Sequence, residues 1–209
     1  PAVYMTGYGA AANLLGGPDV GLLSMSEMVR HLKYMSEAVN IPIIADADTG
    51  YGNAVNVYRT VKEYERAGAT AIQLEDQTWP KRCGHMEGKD VISAEEMVSK
   101  IRAAIDARED EDTLIIARTD AIAPLGFEEA IRRANQYREA GADIIFVEAP
   151  QDVEQLKEIP KLVKAPVMAN MIEGGKTPVV SAKTLKEMGF AAVIYPLSTL
   201  YMMTRAVKD

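Results

Sequence analysis

One cysteine, two histidines and one tryptophan are all that 209 residues contain of these types. A lone cysteine forms no internal disulfide, so the expected setting is the reducing cytoplasm. Two histidines, one of them (His31) within an amphipathic helical stretch, provide no zinc site. No apolar run approaches the length of a membrane span and no signal-like start is present, so no membrane partner is expected. Basic residues number 23 against 30 acidic ones, for a net charge of −7. That balance offers no basic stripe to displace counterions, and nucleic acid is not an expected partner either. A phosphate loop is missing too: Glu173-Gly174-Gly175-Lys176-Thr177 lacks the required spacing. No linker, low-complexity segment or composition shift divides the chain, which reads as one domain over residues 1–209. It starts at Pro1 rather than methionine, and its natural start is expected upstream.

What is present is a repeated phrase: a helical stretch, a glycine able to end it, then an apolar strand. It occurs as Glu65-Arg66-Ala67-Gly68 before Thr70–Leu74, as Glu139-Ala140-Gly141 before Asp143–Val147, and as Glu187-Met188-Gly189 before Ala191–Tyr195. Apolar runs at Ala2–Met5, Pro42–Ala45, Thr113–Ala117 and Pro166–Ala169 bring the expected strands to seven. Their near-continuous hydrophobicity fits parallel strands covered on both faces. Helical periodicity covers Ser24–Val39, Ala54–Ala67, Ala94–Ala107, Phe127–Ala140, Val153–Ile159 and Ala182–Met188, with Ser93 and Glu96 forming a capping box for the third.

Polar residues recur at the carboxyl end of these strands: Thr6, Asp46 and Asp48, Glu75 and Asp76, Arg118 and Asp120, Glu148, and Asn170. In a (β/α)8 TIM-type barrel that end is the face on which active sites assemble. A doubly wound sheet shares the βαβ phrase but gathers its site at one switch point. The barrel is the preferred reading, with its first strand upstream of Pro1.

Two groups carry chemistry. Asp46-Ala47-Asp48 puts two carboxylates on one face, and Glu75 at the equivalent place one repeat later can join them. Oxygen-only donors suit Mg2+ or Mn2+, the alternative being solvated loop acids without a metal. The second group is Cys83, within Lys81-Arg82-Cys83-Gly84-His85 in the long non-helical stretch 77–92. Lys81, Arg82 and a protonated His85 are expected to favour thiolate over thiol, the alternative being a small buried hydrophobe. A loop of that length suits an active-site lid.

Asp46-Ala47-Asp48-Thr49-Gly50, Glu75-Asp76-Gln77, Lys81-Arg82-Cys83-Gly84-His85, Ala117-Arg118-Thr119-Asp120 and Asn170-Met171-Ile172-Glu173 resemble, in order and spacing, the isocitrate lyase / phosphoenolpyruvate mutase superfamily. The cysteine loop is similar to that of its lyase branch. The resemblance implies an α/β barrel, a homotetramer with further C-terminal helices beyond Asp209, and Mg2+ held through Asp46, Asp48 and Glu75. It also implies cleavage of a 2-hydroxy or 2-oxo carboxylate through an enolate. In that reading Arg118 stabilises the developing oxyanion and Cys83 protonates the departing carbon, with Lys81, His85 and Glu148 in catalytic positions. Thr6, Gly7 and Tyr8 form a loop donating hydrogen bonds to substrate carboxylate, Gly84 and Asn170 contact substrate, and Glu148 has a structural reading as well.

Within the branch, Tyr201 stands where methylisocitrate lyases carry an arginine for the additional carboxylate. A phenol does not replace a bidentate guanidinium. The expected substrate is therefore a 2-hydroxy dicarboxylate of the 2-alkylmalate type, or oxaloacetate, with methylisocitrate lyase and mutase-like chemistry as alternatives. A metabolite-binding or inactive truncated barrel is the non-enzymatic alternative.

Overall fold

The computed structural model describes all 209 residues. Its strands are β1 (Val3–Met5), β2 (Ile43–Asp46), β3 (Ala71–Glu75), β4 (Leu114–Thr119), β5 (Ile144–Val147), β6 (Val167–Asn170) and β7 (Ala192–Ile194). Seven parallel strands pair in strict chain order, β1 next to β2 and so on to β7. The sheet curls so far that the ends of β1 and β7 face one cavity, a nearly closed α/β barrel of TIM type. The glycines of the repeated phrase, Gly68, Gly141 and Gly189, all have positive φ, as helix-to-strand turns require.

Six expected helices form close to their expected limits: α2 (Met25–Ala38), α3 (Ala54–Arg66), α4 (Ala94–Ala107), α6 (Phe127–Glu139), α7 (Val153–Leu162) and α8 (Ala182–Met188). Three more do not follow from the periodicity: α1 (Gly7–Leu15), the single turn α5 (Ile122–Leu125) and α9 (Ser198–Lys208). Helix α1 starts Gly-Tyr-Gly, a poor helix former, and α9 has no buried residue to fix its face. The capping box expected at Ser93 is only half made. Ser93 accepts from the Glu96 N–H, whereas Ser24 and Glu27 make both reciprocal bonds at α2. No helix is long and apolar enough to cross a membrane.

Side chains alternate between two environments, as the strand period of two demands. Ile72, Leu74, Ile115, Ala117, Ile145, Val147 and Val167 face outward into the main core beneath the helices. Ala71, Ile116, Phe146, Met168 and Ile194 fill the barrel interior, with Tyr4, Ile44, Ile144 and Ala192 packed against them. Five inward columns become polar as they continue toward the carboxyl end. Ile44 leads to Asp46 and Asp48, Ala71 to Gln73 and Glu75, Ile116 to Arg118 and Asp120, Phe146 to Glu148, and Met168 to Asn170. The apolar plug is the floor on which the polar residues converge.

Candidate active site

The cluster begins at the end of β2. Asp46 accepts from the backbone N–H of Gly7 (3.1 Å) and of Asp48 (3.0 Å), and Asp48 adopts a left-handed φ of 48° to make that turn. Gly7 is required by the close approach. A Cβ there would lie 3.1 Å from Asp46 Oδ2 and Lys81 Nζ and 3.2 Å from Asp48 Oδ1. Behind them the Tyr64 hydroxyl donates to the Asp46 carbonyl and shares a hydrogen bond with Tyr51. Thr6, Gly7 and Tyr8 are not a loop, contrary to expectation. Thr6 is the N-cap residue of α1, so the first turn of that helix faces the carboxylates.

Glu75 stands at the end of β3, 1% exposed, with neither carboxylate oxygen hydrogen-bonded. Burial drives its pKa well above the ordinary carboxylate value, against the opposing fields of Arg118 and Lys81. Burial likewise raises Asp48 to about 6, with the Lys81 cation opposing and Asp46 reinforcing. As the side chains stand, no three acidic, imidazole or thiol groups are close enough together to grip an ion. Lys81 explains part of this, since its ammonium lies 2.7 Å from Asp48 and 2.5 Å from Asp19. The donor set nevertheless fits a hard divalent cation: three buried carboxylates, two free oxygens on Glu75, and nitrogen or sulfur from none of them.

Arg118 spans the floor. It binds Asp120 through two nitrogens (2.9 and 3.0 Å), stands 3.3 Å from Glu75 and 3.9 Å from Glu148, and lies over the Phe146 ring. Glu148 accepts from Asn170 at 3.3 Å through each oxygen and lies 3.1 Å from His85 Nε2. Burial pushes the Glu148 pKa up, but Arg118 and His85 together outweigh it and leave the carboxyl below its ordinary value.

The 77–92 loop lies over this floor, held at several points. Gln77 holds both the N–H and the carbonyl of Arg82; the Cys83 N–H donates to the Asp19 carbonyl; Lys89 donates to the Gly84 carbonyl (2.6 Å) and Asp120 (2.7 Å). His85 Nδ1 accepts from the Lys176 N–H, which gives the Glu173–Thr177 turn a role in positioning the loop rather than in binding phosphate. Gly84 approaches the floor so closely that a Cβ would overlap Glu148 and Arg118. Only about 30 Å³ remains between loop and floor, in a cavity lined by Thr6, Tyr8, Asp46, Cys83, Gly84, Arg118, Glu148 and Asn170 among others. That space holds a water or two, so a dicarboxylate reaches the floor only when the loop lifts.

The thiolate expectation is corrected by this geometry. Lys81 is committed to Asp19 and Asp48, Arg82 points away to the Glu87 carbonyl, and His85 faces Glu148. Burial therefore dominates and raises the Cys83 pKa; the His85 N–H helps the thiolate, while Asp19 opposes it. Burial thus favours the thiol, a proton donor, over the thiolate. Tyr201 does not line the cavity. It is 39% exposed on α9 at the mouth, near enough for Tyr8 and Cys83 to reinforce the rise in its pKa that burial starts.

Sequence reasoning missed Asp19 and Lys89, both buried and both bonded to the loop. Asp19 sits in Gly17-Pro18-Asp19, where an acid held in a turn was the available signal. Lys89 looked like one more charge in a polar loop. Asp76 is structural: Thr119, Tyr137, Arg133 and the Asp120 N–H surround it.

Residues 1–209 match the family profile described as phosphoenolpyruvate phosphomutase. Among named relatives, a 2,3-dimethylmalate lyase of Eubacterium barkeri is 53% identical over all of this chain and 72% of its own length. A chloroplastic carboxyvinyl-carboxyphosphonate phosphorylmutase of Arabidopsis thaliana is also 53% identical, with 100% of this chain and 62% of the relative aligned. A 2-methylisocitrate lyase of Aeropyrum pernix is 50% identical over 98% of this chain and 66% of its own. The chain thus spans about two thirds of its relatives' lengths. The crystal structure of a 2,3-dimethylmalate lyase superposes with TM-score 0.96 at 40% identity, over 99% of this chain and 70% of that one. A phosphonopyruvate hydrolase crystallised with oxalate and Mg2+ gives 0.85 at 36% identity, over 99% and 72%. With the profile matched end to end, the chain belongs to the phosphoenolpyruvate mutase / isocitrate lyase superfamily.

Proposed function

We propose that the protein is a Mg2+-dependent carbon–carbon lyase that cleaves a 2-hydroxy dicarboxylate of the 2,3-dimethylmalate type to a 2-oxo acid and a carboxylic acid. The observation that carries this reading is geometric: the loop delivers the partly buried Cys83 side chain to the same cavity as Arg118 and Asp46, where burial favours thiol over thiolate. Phosphoryl transfer has no use for an acid that protonates carbon at that position, whereas cleavage of a C–C bond leaves a carbanion that must be protonated.

Asp46, Asp48 and Glu75 would hold the Mg2+, which supplies positive charge to the substrate's 2-hydroxyl and adjacent carboxylate. Glu148, held as a carboxylate by Arg118 and His85 and lining the same cavity, accepts the hydroxyl proton. The C2–C3 bond then breaks, its electron pair passing to C3 and the attached carboxylate as an enediolate, while C2 becomes the carbonyl of the 2-oxo acid. Arg118, fixed by Asp120, lowers the energy of the developing oxygen charge. The Cys83 S–H donates its proton to C3, and the closed loop keeps water from competing. For 2,3-dimethylmalate the products are pyruvate and propionate.

Support for a dicarboxylate over a tricarboxylate comes from Tyr201, a neutral phenol close enough to couple to Cys83 where the resemblance places an arginine in methylisocitrate lyases, and from the 53% identity to a 2,3-dimethylmalate lyase. Assembly into a homotetramer is part of the proposal, supported by the apolar row Tyr201, Met202, Met203 and Val207 left exposed on α9; light scattering tests it. A cytoplasmic location is likewise proposed, because Cys83 must stay reduced. The decisive experiment offers 2,3-dimethylmalate, methylisocitrate, isocitrate and oxaloacetate in turn and follows pyruvate, glyoxylate or oxalate. The fastest turnover is expected with 2,3-dimethylmalate; release of no carbon–carbon cleavage product from any of them would contradict the proposal.

A further inference from the structure

A second cleft, of about 460 Å³, opens at the root of the 77–92 loop and shares no lining residue with the catalytic cavity. Gln77, Trp79 and Ile92 contribute both ends of the loop, Tyr51 the turn after β2, and Glu96 and Lys100 the helix α4. Its volume lies within the range of small-molecule sites.

Two observations mark it as a ligand site. Lys100 is 4% exposed, yet its only hydrogen bond is to the Thr49 carbonyl at 3.1 Å, and it forms no ion pair. The acids nearest to it are engaged or peripheral: Asp76 is saturated by Thr119, Tyr137, Arg133 and the Asp120 N–H, and Glu96 lies exposed at the rim one turn earlier on α4. An ammonium with three donors and one acceptor is a cation awaiting an anion. Opposite it, Trp79 is 50% exposed, its ring 6.5 Å from that of Tyr51, so the cleft also presents a large aromatic surface.

We infer that this cleft binds a small monocarboxylate with an aromatic or branched apolar body, the carboxylate on Lys100 and the body against Trp79 and Tyr51, and that its occupancy restrains the loop. One negative charge is specified because Glu96 at the rim repels a second. This separates the ligand from the dicarboxylates expected at the catalytic floor. Restraint follows from position. A molecule wedged between Trp79 and α4 ties the first turn of the loop to the barrel wall, beside the Gln77–Val91 bridge that joins the loop's two ends.

The chain carries its own probes, since Trp79 is the only tryptophan and Cys83 the only cysteine. Titrating metal-free protein with 3-phenylpropionate should give a saturable change in tryptophan fluorescence, whereas neutral 3-phenylpropan-1-ol should give none in the same range. Lys100→Met and Lys100→Gln should each weaken the acid by about tenfold or more, and Lys100→Arg by about twofold at most. Lys100→Gln keeps a donor for the Thr49 carbonyl, so loss of charge is read even if the methionine variant unfolds. Bound 3-phenylpropionate should also slow modification of Cys83 severalfold. Equal response to acid and alcohol, or unaltered binding in Lys100→Gln, would overturn the site; binding with an unchanged Cys83 rate would overturn the restraint. No step needs substrate or turnover, so this test fails independently of the lyase proposal.

Discussion

Replacing Lys89 by methionine removes the cation that fastens the loop to the floor, and the structure sets the size of the effect. Lys89 bonds its own loop at the Gly84 carbonyl and the end of β4 at Asp120, both buried. Removing one partner of a buried ion pair costs about 3–5 kcal/mol. Asp120 keeps both bonds to Arg118, the larger of the two cations that hold its pKa far below the ordinary value despite burial, so the lower figure applies. The Lys89–Asp120 bond exists only with the loop down. A loss of about 3 kcal/mol therefore acts on the open–closed equilibrium and shifts it roughly a hundredfold toward open. Cys83 reports this directly, because it is only partly exposed under the closed loop and a thiol reagent reaches it more readily when the loop lifts. Its modification rate in Lys89→Met should rise by up to that factor, capped at the rate of a fully exposed thiol, while turnover falls and the far-UV spectrum stays unchanged. A wild-type modification rate in a folded Lys89→Met protein would refute the account of the closed loop.

Three further outcomes follow from the site. EDTA should abolish turnover and Mg2+ or Mn2+ restore it, because Asp46, Asp48 and Glu75 present only oxygen; full activity in metal-free buffer would remove the metal from the proposal. Burial raises the Cys83 pKa above its ordinary 9.0, so the buried thiol favours the closed loop up to that pH and the advantage is lost as pH climbs through the raised value. The pH profile of Cys83 alkylation should accordingly have a midpoint above 9.0 in the wild type and fall back toward it in Lys89→Met. Tyr201→Arg should raise turnover of methylisocitrate relative to 2,3-dimethylmalate by supplying a cation at the mouth; a native preference for the tricarboxylate would contradict the substrate assignment.

The barrel was legible because three independent regularities coincide: the helix–glycine–strand phrase, the near-continuous apolar strands, and polar residues at one end of each repeat. Asp46, Asp48, Glu75, Arg118, Glu148 and Asn170 could be read from sequence, since each continues an inward-facing column two or four residues beyond an apolar neighbour. Position along the chain says nothing about which acid a basic side chain will choose. Lys81 and Cys83 are two residues apart, yet Lys81 turns to Asp19 and Asp48 and leaves the thiol to be governed by burial. Lys89 and Asp19 act across long gaps in sequence, through a loop conformation that no periodicity encodes. Helices α1 and α9 escaped for a related reason: a glycine-rich start in one and the lack of any buried face in the other erase the signal on which helix reading depends.

The central claim is that the thiol of Cys83 is the acid that completes carbon–carbon cleavage, and Cys83→Ser tests it most directly. Serine keeps the shape but is a far weaker acid, so product release from 2,3-dimethylmalate should fall by about a hundredfold or more, the loss expected for a positioned general acid. Mg2+-dependent oxalate binding, measured on the same protein, should stay nearly intact. Unimpaired cleavage by a folded Cys83→Ser protein would contradict the account.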